Sequence, residues 1–125
     1  MSVHITKNFT YDELMCPCCG KMSIDATAIE MLQKARDIAG IAFQLNSVCR
    51  CKAHNKKVGS EDSSSHVIAD GRNSYAFDIK ATDSRTRFII LGALLNAGFN
   101  RIGIDKAFIH VDSDTSKDEN VVWVY

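Results

Sequence analysis

Two histidines and one aspartate, widely separated along the chain, constrain the fold more than any other feature. His66 follows a run of serines, whereas Asp78 and His110 each lie inside a strand-like segment. Two neutral imidazoles and one carboxylate are the usual protein ligands of a catalytic zinc ion, whose fourth position stays open for water. A fold that brings the three side chains together is expected to form a hydrolytic metal site, whereas each residue alone is compatible with a structural role.

The composition predicts a single domain formed by residues 1–125. Hydrophobic residues make up 46% of the chain and charged residues 24%, which is ordinary for a globular protein with a packed core. The formal net charge is zero and the pI is about 6.9. A basic surface for nucleic acid or for an anionic membrane is therefore not expected.

The apolar residues predict neither a membrane-spanning segment nor a secretory signal peptide. No apolar run approaches the roughly 20 residues that a membrane-spanning helix needs, so membrane insertion is not expected. Residues 1–11 mix charged and polar side chains and lack the apolar region of a secretory signal peptide. Synthesis in the cytoplasm is therefore predicted, and a role outside the cytoplasm would require release by lysis or an auxiliary export route.

Apolar spacing and capping residues predict an α+β fold. Thr10 and Glu13 match a capping box at the start of a short helix, and Gly40 is suited to end an amphipathic helix over residues 25–39. Further predicted elements are an irregular segment at 51–69, a buried helix from 83 or 84 to 97, and strands at 43–50, 75–81, 108–112 and 121–125. Because helices and strands do not alternate as βαβ units, we expect a small antiparallel sheet with helices packed on it.

The cysteines suggest a second metal site. Cys16 and Cys19 have the C-x-x-C spacing of a zinc ligand pair, and Cys49 and Cys51 lie further along the chain. These four sulfurs are candidates for a structural zinc ion, although the second spacing is short for a standard knuckle. Reduced thiols, which are the default in the cytoplasm, and disulfides between the two clusters remain the alternatives.

Several motifs occur in the order that is characteristic of one family of zinc peptidases. They are an aromatic opening with a cysteine-rich loop, a Ser-x-x-Arg strand, a His-Asn-x-x-Val-Gly loop, a Ser-x-His motif, an Ala-x-Asp strand and a closing Phe-Ile-His-Val-Asp. The matching residues are Phe9, Glu13, Leu14, Cys16, Ser47, Arg50, His54, Asn55, Val58, Gly59, Ser64, His66, Ala76, Asp78, Phe108, His110 and Asp112. Over this range the chain resembles the M15 family, and more narrowly its M15A-type D-Ala-D-Ala carboxypeptidases and phage endolysins, whose fold is shared with the hedgehog signalling domain.

The resemblance implies a zinc metallopeptidase that cleaves peptidoglycan stem peptides at bonds involving D-alanine, as a carboxypeptidase or an endopeptidase. It implies that His66, Asp78 and His110 are the zinc ligands. Arg50 would pair with a substrate carboxylate, which a guanidinium suits well, and Ser64 would form a hydrogen bond to the substrate. A non-catalytic metal-containing binding module and a structural phage component of the same fold are the alternatives.

The segment between His66 and Asp78 departs from the family pattern. It is longer than usual, and Ser74 stands where the pattern has a glycine. This insertion makes Asp70 a competing carboxylate. Asp78 is preferred as the ligand because its Ala-Phe-Asp-Ile context matches the family strand.

Two carboxylates compete for the catalytic proton transfer. Asp112 lies two residues after His110 and so shares its face of a strand, where it either accepts the proton or orients the histidine. Asp105 would face away from His110 on a regular strand, and only a turn at residues 103–106 would bring it round. The sequence leaves both candidates open.

Overall fold

The computed structural model describes residues 3–69 and 71–125, and the statements below concern those residues. Five strands form one sheet in the order β1-β2-β4-β3-β5. The strands are β1 (Leu45–Ser47), β2 (Ala76–Lys80), β3 (Arg101–Ile104), β4 (Phe108–Asp112) and β5 (Val121–Val124). The helices are α1 (Tyr11–Leu14), α2 (Ala26–Ala39), α3 (Lys52–Lys57) and α4 (Ser84–Asn96). The predicted α+β fold class is confirmed.

The sheet is mixed, whereas the sequence predicted an antiparallel one. The β1–β2, β2–β4 and β3–β4 pairs are antiparallel, but β5 runs parallel to β3. The difference arises from β3, whose short Arg-Ile-Gly-Ile sequence gave no strand signal. Because β3 occupies the position beside β4, the chain after β4 crosses it and adds β5 at the outer edge.

One hydrophobic core lies between the sheet and the two long helices. It includes Leu32 of α2, Leu94 of α4, and Phe77 and Ile109 of the central strands, all with essentially no exposed surface. Helix α4 was predicted to be buried, but Phe88 on its outer side is 78% exposed. The apolar run in α4 is therefore only partly a core signal. No helix in the described ranges is long and apolar enough to cross a bilayer.

Capping residues fix the ends of the helices. The capping box, the start of α4 at residue 83 or 84 and the end of α2 at Gly40 were predicted, whereas Asp25 was predicted as the first residue of α2 and is its N-cap instead. The Thr10 and Glu13 side chains form the reciprocal capping box of α1. Asp25 and Asp83 accept backbone N–H bonds at the starts of α2 and α4. Gly40 ends α2 in the left-handed conformation, at φ 68°, which glycine adopts without steric cost.

Helix α3 lies inside the segment that was predicted to be irregular. Its Lys-Ala-His-Asn-Lys-Lys sequence has no apolar periodicity, and its N-cap is the sulfur of Cys51, which accepts the N–H of His54. Neither feature is a usual helix signal. The helix is held instead by the buried Asn55, whose side-chain amide donates to the carbonyl of Glu61.

Gly103 allows the side chain of Trp123 to lie across the sheet. Gly103 pairs with His110 on β4 and with Trp123 on β5. A Cβ atom at position 103 would lie 2.4 Å from the indole Nε1 of Trp123. The indole crosses above this glycine and ends with its ring centroid 5.6 Å from that of His110.

We predict that Gly103→Ala lowers the free energy of unfolding by about 1–3 kcal/mol, because the added methyl group must displace the indole. Gly92→Ala is the matched control, since a Cβ there meets no atom within 4 Å in the interior of α4. It should leave stability unchanged or raise it by up to about 1 kcal/mol. Urea denaturation of both variants measures the difference, and equal stabilities would contradict this packing.

Candidate metal centre

Strand pairing brings Asp78 and His110 together. They are direct partners across the antiparallel β2–β4 pair, so their side chains lie on the same face of the sheet. Nδ1 of His110 lies 2.9 Å from Oδ1 of Asp78. A distance this short between the two ligand atoms follows from the register of the two central strands.

His66 approaches the same carboxylate oxygen from outside the sheet. Its Nε2 atom lies 3.2 Å from Oδ1 of Asp78, and its ring centroid is 5.3 Å from that of His110. The backbone N–H of Arg50 donates to the carbonyl of His66, and a bridge between Arg50 and Val67 ties the segment to the end of β1. These contacts bring His66 to Asp78 across the inserted loop.

The three donor atoms fit a tetrahedral zinc ion. All lie within 4.8 Å of one another. Two ligands of a tetrahedral ion with bonds of about 2.0–2.1 Å stand about 3.3 Å apart. The distances from Asp78 to the two histidines, 3.2 and 2.9 Å, are close to that value. The donor chemistry and the spacing are therefore both those of a three-ligand zinc site.

Hydrogen bonding and burial prepare His66 to act as a ligand. Its Nδ1 atom lies 2.7 Å from the carbonyl oxygen of Val48, so Nδ1–H donates there and the Nε2 lone pair faces Asp78. The residue is only 2% exposed. Burial lowers the pKa of His66 below its ordinary value, which favours the neutral form that a metal requires.

Asp112 fixes the orientation of His110. The Nε2 atom of His110 lies 2.7 Å from Oδ2 of Asp112, which leaves Nδ1 directed at Asp78. The other oxygen of Asp112 accepts bonds from Nε of Arg101, at 2.7 Å, and from the N–H of Asp114. Burial lowers the pKa of His110, but the bonds to the two carboxylates outweigh it and raise the pKa above its ordinary value. A carboxylate behind a metal-binding imidazole is a common way to hold such a ligand in place.

Arg50 holds the second oxygen of Asp78. Its Nη2 atom lies 3.2 Å from Oδ2 of Asp78, while Nε donates to Ser47 and Nη1 to Asn55. Burial opposes ionisation of Asp78, but its contacts with the two imidazoles, that of His110 foremost, outweigh it and hold the pKa of this carboxyl below its ordinary value. Asp78 is thus kept as a carboxylate with Oδ1 turned towards the histidines.

A cavity of about 400 Å³ opens above the three candidate ligands. Arg50 and Ser64 line it, as does Tyr125, which the sequence gave no reason to select. The hydroxyl of Ser64 accepts the N–H of His66 at 3.3 Å, so it lies at the edge of the ligand cluster. The cavity is large enough to admit a short peptide segment beside the metal position.

The model of the family described as Peptidase M15 matches residues 7–112. The chain belongs to the M15 peptidase family. Comparison with curated proteins gives no significant match. Members of the M15 family are zinc-dependent metallopeptidases, and the predicted resemblance to this family is confirmed.

The remaining candidate residues of this M15 peptidase lie apart from the ligand cluster or outside the described ranges. The carboxylate of Asp105 accepts the N–H of Ala107 at 2.9 Å in the β3–β4 turn, and it borders a different cavity. The chain does turn here, as the alternative required, but the carboxylate of Asp105 binds the backbone of the turn itself and not the ligand cluster. Asp70 lies outside the described residues.

The cysteine cluster differs from the predicted one in a single member. The sulfurs of Cys16, Cys19 and Cys51 lie within 4.8 Å of one another. Cys49 is not part of this group, because its buried thiol points to the carbonyl oxygen of Ser23, 3.6 Å away. In a regular strand, residues 49 and 51 would point to the same side. Strand β1 ends at Ser47, so the chain is not a regular strand at these positions, and the two thiols point in different directions.

Asp112→Asn should weaken zinc binding by about 10- to 100-fold, because the amide cannot hold His110 as the carboxylate does. Competition with a chromophoric chelator measures the affinity. Asp105→Asn is the matched control and should bind zinc like the unaltered protein. Equal affinities of the two variants would show that Asp112 does not support the ligand.

Proposed function

We propose that the protein is a zinc-dependent peptidase that cleaves peptidoglycan stem peptides at bonds involving D-alanine. The observation that carries the proposal is the convergence of His66, Asp78 and His110 at the base of a cavity that also presents a guanidinium. Membership of the M15 family supports the peptidase activity. The D-alanine preference and the wall substrate rest on the sequence resemblance to M15A-type enzymes and on the chemistry of Arg50.

The three ligands supply the site at which the reaction would occur. His66, Asp78 and His110 would hold a zinc ion, which would supply Lewis-acid activation of a carbonyl group and of water. Asp78 contributes a negative charge, and the two histidines are held by Val48 and Asp112 with one nitrogen each turned inward. The chain thus fixes the orientation of each donor before a substrate arrives, which reduces the reorganisation needed during the reaction.

Arg50 is the proposed recognition group for the carboxylate of the substrate. A guanidinium carries five N–H groups, and within the described residues three are used by Ser47, Asn55 and Asp78. The remaining N–H groups can bind a peptide carboxylate at the cavity wall. Ser64, at the same edge, is placed to form a hydrogen bond with the peptide backbone.

Asp112 is proposed to be a positioning residue. Both of its oxygens are engaged, one by His110 and the other by Arg101 and the N–H of Asp114. A carboxylate with both oxygens bonded in this way is poorly prepared to collect a proton from the reacting groups. Its contribution is to hold His110 and to balance the charge of the ligand cluster.

A non-catalytic binding module is the second candidate function, and a specific observation favours it. Among the described residues that line the cavity above the candidate ligands, Asp78 is the only carboxylate, and it is a proposed ligand. A smaller adjoining cavity of about 210 Å³ adds Asp112 and Glu61. Because both oxygens of Asp112 are already bonded, cleavage would rely on Glu61 to transfer the proton, whereas a module that only binds stem peptides would need no such group.

Incubation of the zinc-loaded protein with a peptide ending in D-Ala-D-Ala should release D-alanine, detected by mass spectrometry. The L-Ala-L-Ala isomer should remain intact. His110→Ala should abolish both zinc binding and cleavage, whereas the exposed His4→Ala should change neither. Tight binding of the D-Ala peptide without cleavage would favour the binding module, and neither binding nor cleavage would reject the wall substrate.

Arg50→Gln should raise KM by about 10- to 100-fold for a peptide with a free terminal carboxylate, corresponding to the loss of a charge-assisted pair worth about 1.5–3 kcal/mol. It should have little effect on a peptide with an amidated terminus. Zinc content, measured in parallel, separates this effect from loosening of Asp78. An equal change in KM for both peptides would contradict carboxylate recognition by Arg50.

A further inference from the structure

A second group of metal-ligating side chains lies outside the catalytic cavity. It consists of the thiols of Cys16, Cys19 and Cys51, which lie within 4.8 Å of one another. Cys16 and Cys19 belong to a tight loop in which the N–H of Gly20 bonds to the carbonyl of Cys16 at 2.8 Å. Cys51 arrives from the far end of β1 and caps α3. Two segments distant in sequence therefore bring three thiols to one point.

Backbone N–H groups point at two of these sulfurs. The N–H of Cys51 lies 3.4 Å from Sγ of Cys16, and the N–H of His54 lies 3.4 Å from Sγ of Cys51. Such donors stabilise a thiolate, which is the form that binds metal. Burial raises the pKa of Cys16, but the N–H groups, that of Cys51 foremost, outweigh it and bring the pKa to about 7.

The loop sequence has the form that zinc favours. Cys16 and Cys19 have C-x-x-C spacing, and Gly20 adopts the left-handed conformation at φ 73°, which turns the chain behind the second cysteine. Cys18, between the two paired cysteines in sequence, is exposed. Because the thiol of Cys49 points to the carbonyl of Ser23 instead, Cys18 is the remaining cysteine that can supply a fourth sulfur.

We propose that Cys16, Cys19 and Cys51 hold a structural zinc ion, with Cys18 completing the tetrahedron. Each thiol loses its proton to solvent when its sulfur binds the ion. The ion would link the loop that contains Cys16 and Cys19 to Cys51. Cys51 directly follows Arg50, so the link would also anchor the chain next to this arginine. It is independent of the proposed peptidase activity, since none of its ligands borders the catalytic cavity.

Metal content and cobalt spectroscopy test the proposal on the full chain. The unaltered protein should bind two zinc ions, and a His66→Ala, His110→Ala variant should retain one. When cobalt replaces zinc, thiolate ligands give a near-ultraviolet charge-transfer band that histidine and carboxylate ligands do not. The double histidine variant should keep this band, so its presence does not depend on catalysis.

Substitution of the cysteines identifies the ligands. Cys51→Ser and, separately, Cys19→Ser should each remove the charge-transfer band and one zinc ion, and circular dichroism checks that each variant folds. Cys49→Ala is the matched control and should keep both ions. Because Cys19 is exposed, its variant remains informative if Cys51→Ser does not fold.

Three outcomes would overturn the proposal. The first is a single zinc ion per unaltered chain with no thiolate-to-cobalt band. The second is a mass lower by two hydrogens with loss of free thiols, which would show that two of these cysteines form a disulfide. The third is a charge-transfer band that persists in Cys19→Ser. If no D-alanine is released but the metal content and the cobalt spectrum are as expected, the proposed function is rejected and the cysteine zinc site stands.

Discussion

The antiparallel pairing of β2 with β4 is the constraint on which the site depends. It places Asp78 directly opposite His110, so that a carboxylate oxygen and an imidazole nitrogen meet at 2.9 Å. A shift of this register by one residue would turn one of these side chains to the opposite face of the sheet. The core residues Phe77 of β2 and Ile109 of β4, on the other face, oppose such a shift, since the one on the strand that moved would lose its burial.

A set of buried polar contacts around this pair holds each ligand in one orientation. Asp112 fixes His110, and Arg101 in turn holds Asp112 and also donates to the carbonyl of Asp118 in the loop before β5. On the other side the carbonyl of Val48 fixes His66. These partners come from several elements of the fold. The orientation of the donors therefore depends on contacts from several parts of the fold.

The sequence predicted the parts of the fold that depend on local patterns. Strands were predicted at residues 75–81 and 108–112, where β2 and β4 lie, and apolar periodicity with Gly40 located α2, because such signals act over a few residues. The parallel β3–β5 pair was missed because four residues containing Arg101 and Gly103 do not form a strand pattern. Helix α3 was missed because its cap is a sulfur and its sequence has no apolar face.

The candidate site was predictable in its residue types but not in its supporting contacts. His66, Asp78 and His110 were selected from the sequence, and the structure brings them together. Arg101 was not selected, since an arginine on a short strand gives no sign that it will meet a carboxylate eleven residues later. The grouping of Cys51 with the first cysteine loop, without Cys49, likewise depends on chain directions that only the folded structure defines.

Anomalous diffraction at the zinc edge, from crystals of the zinc-loaded protein, tests the central claim most directly. The account predicts a peak about 2.0–2.1 Å from Nε2 of His66, from a carboxylate oxygen of Asp78 and from Nδ1 of His110. A zinc-loaded crystal with no peak between these three side chains would contradict it.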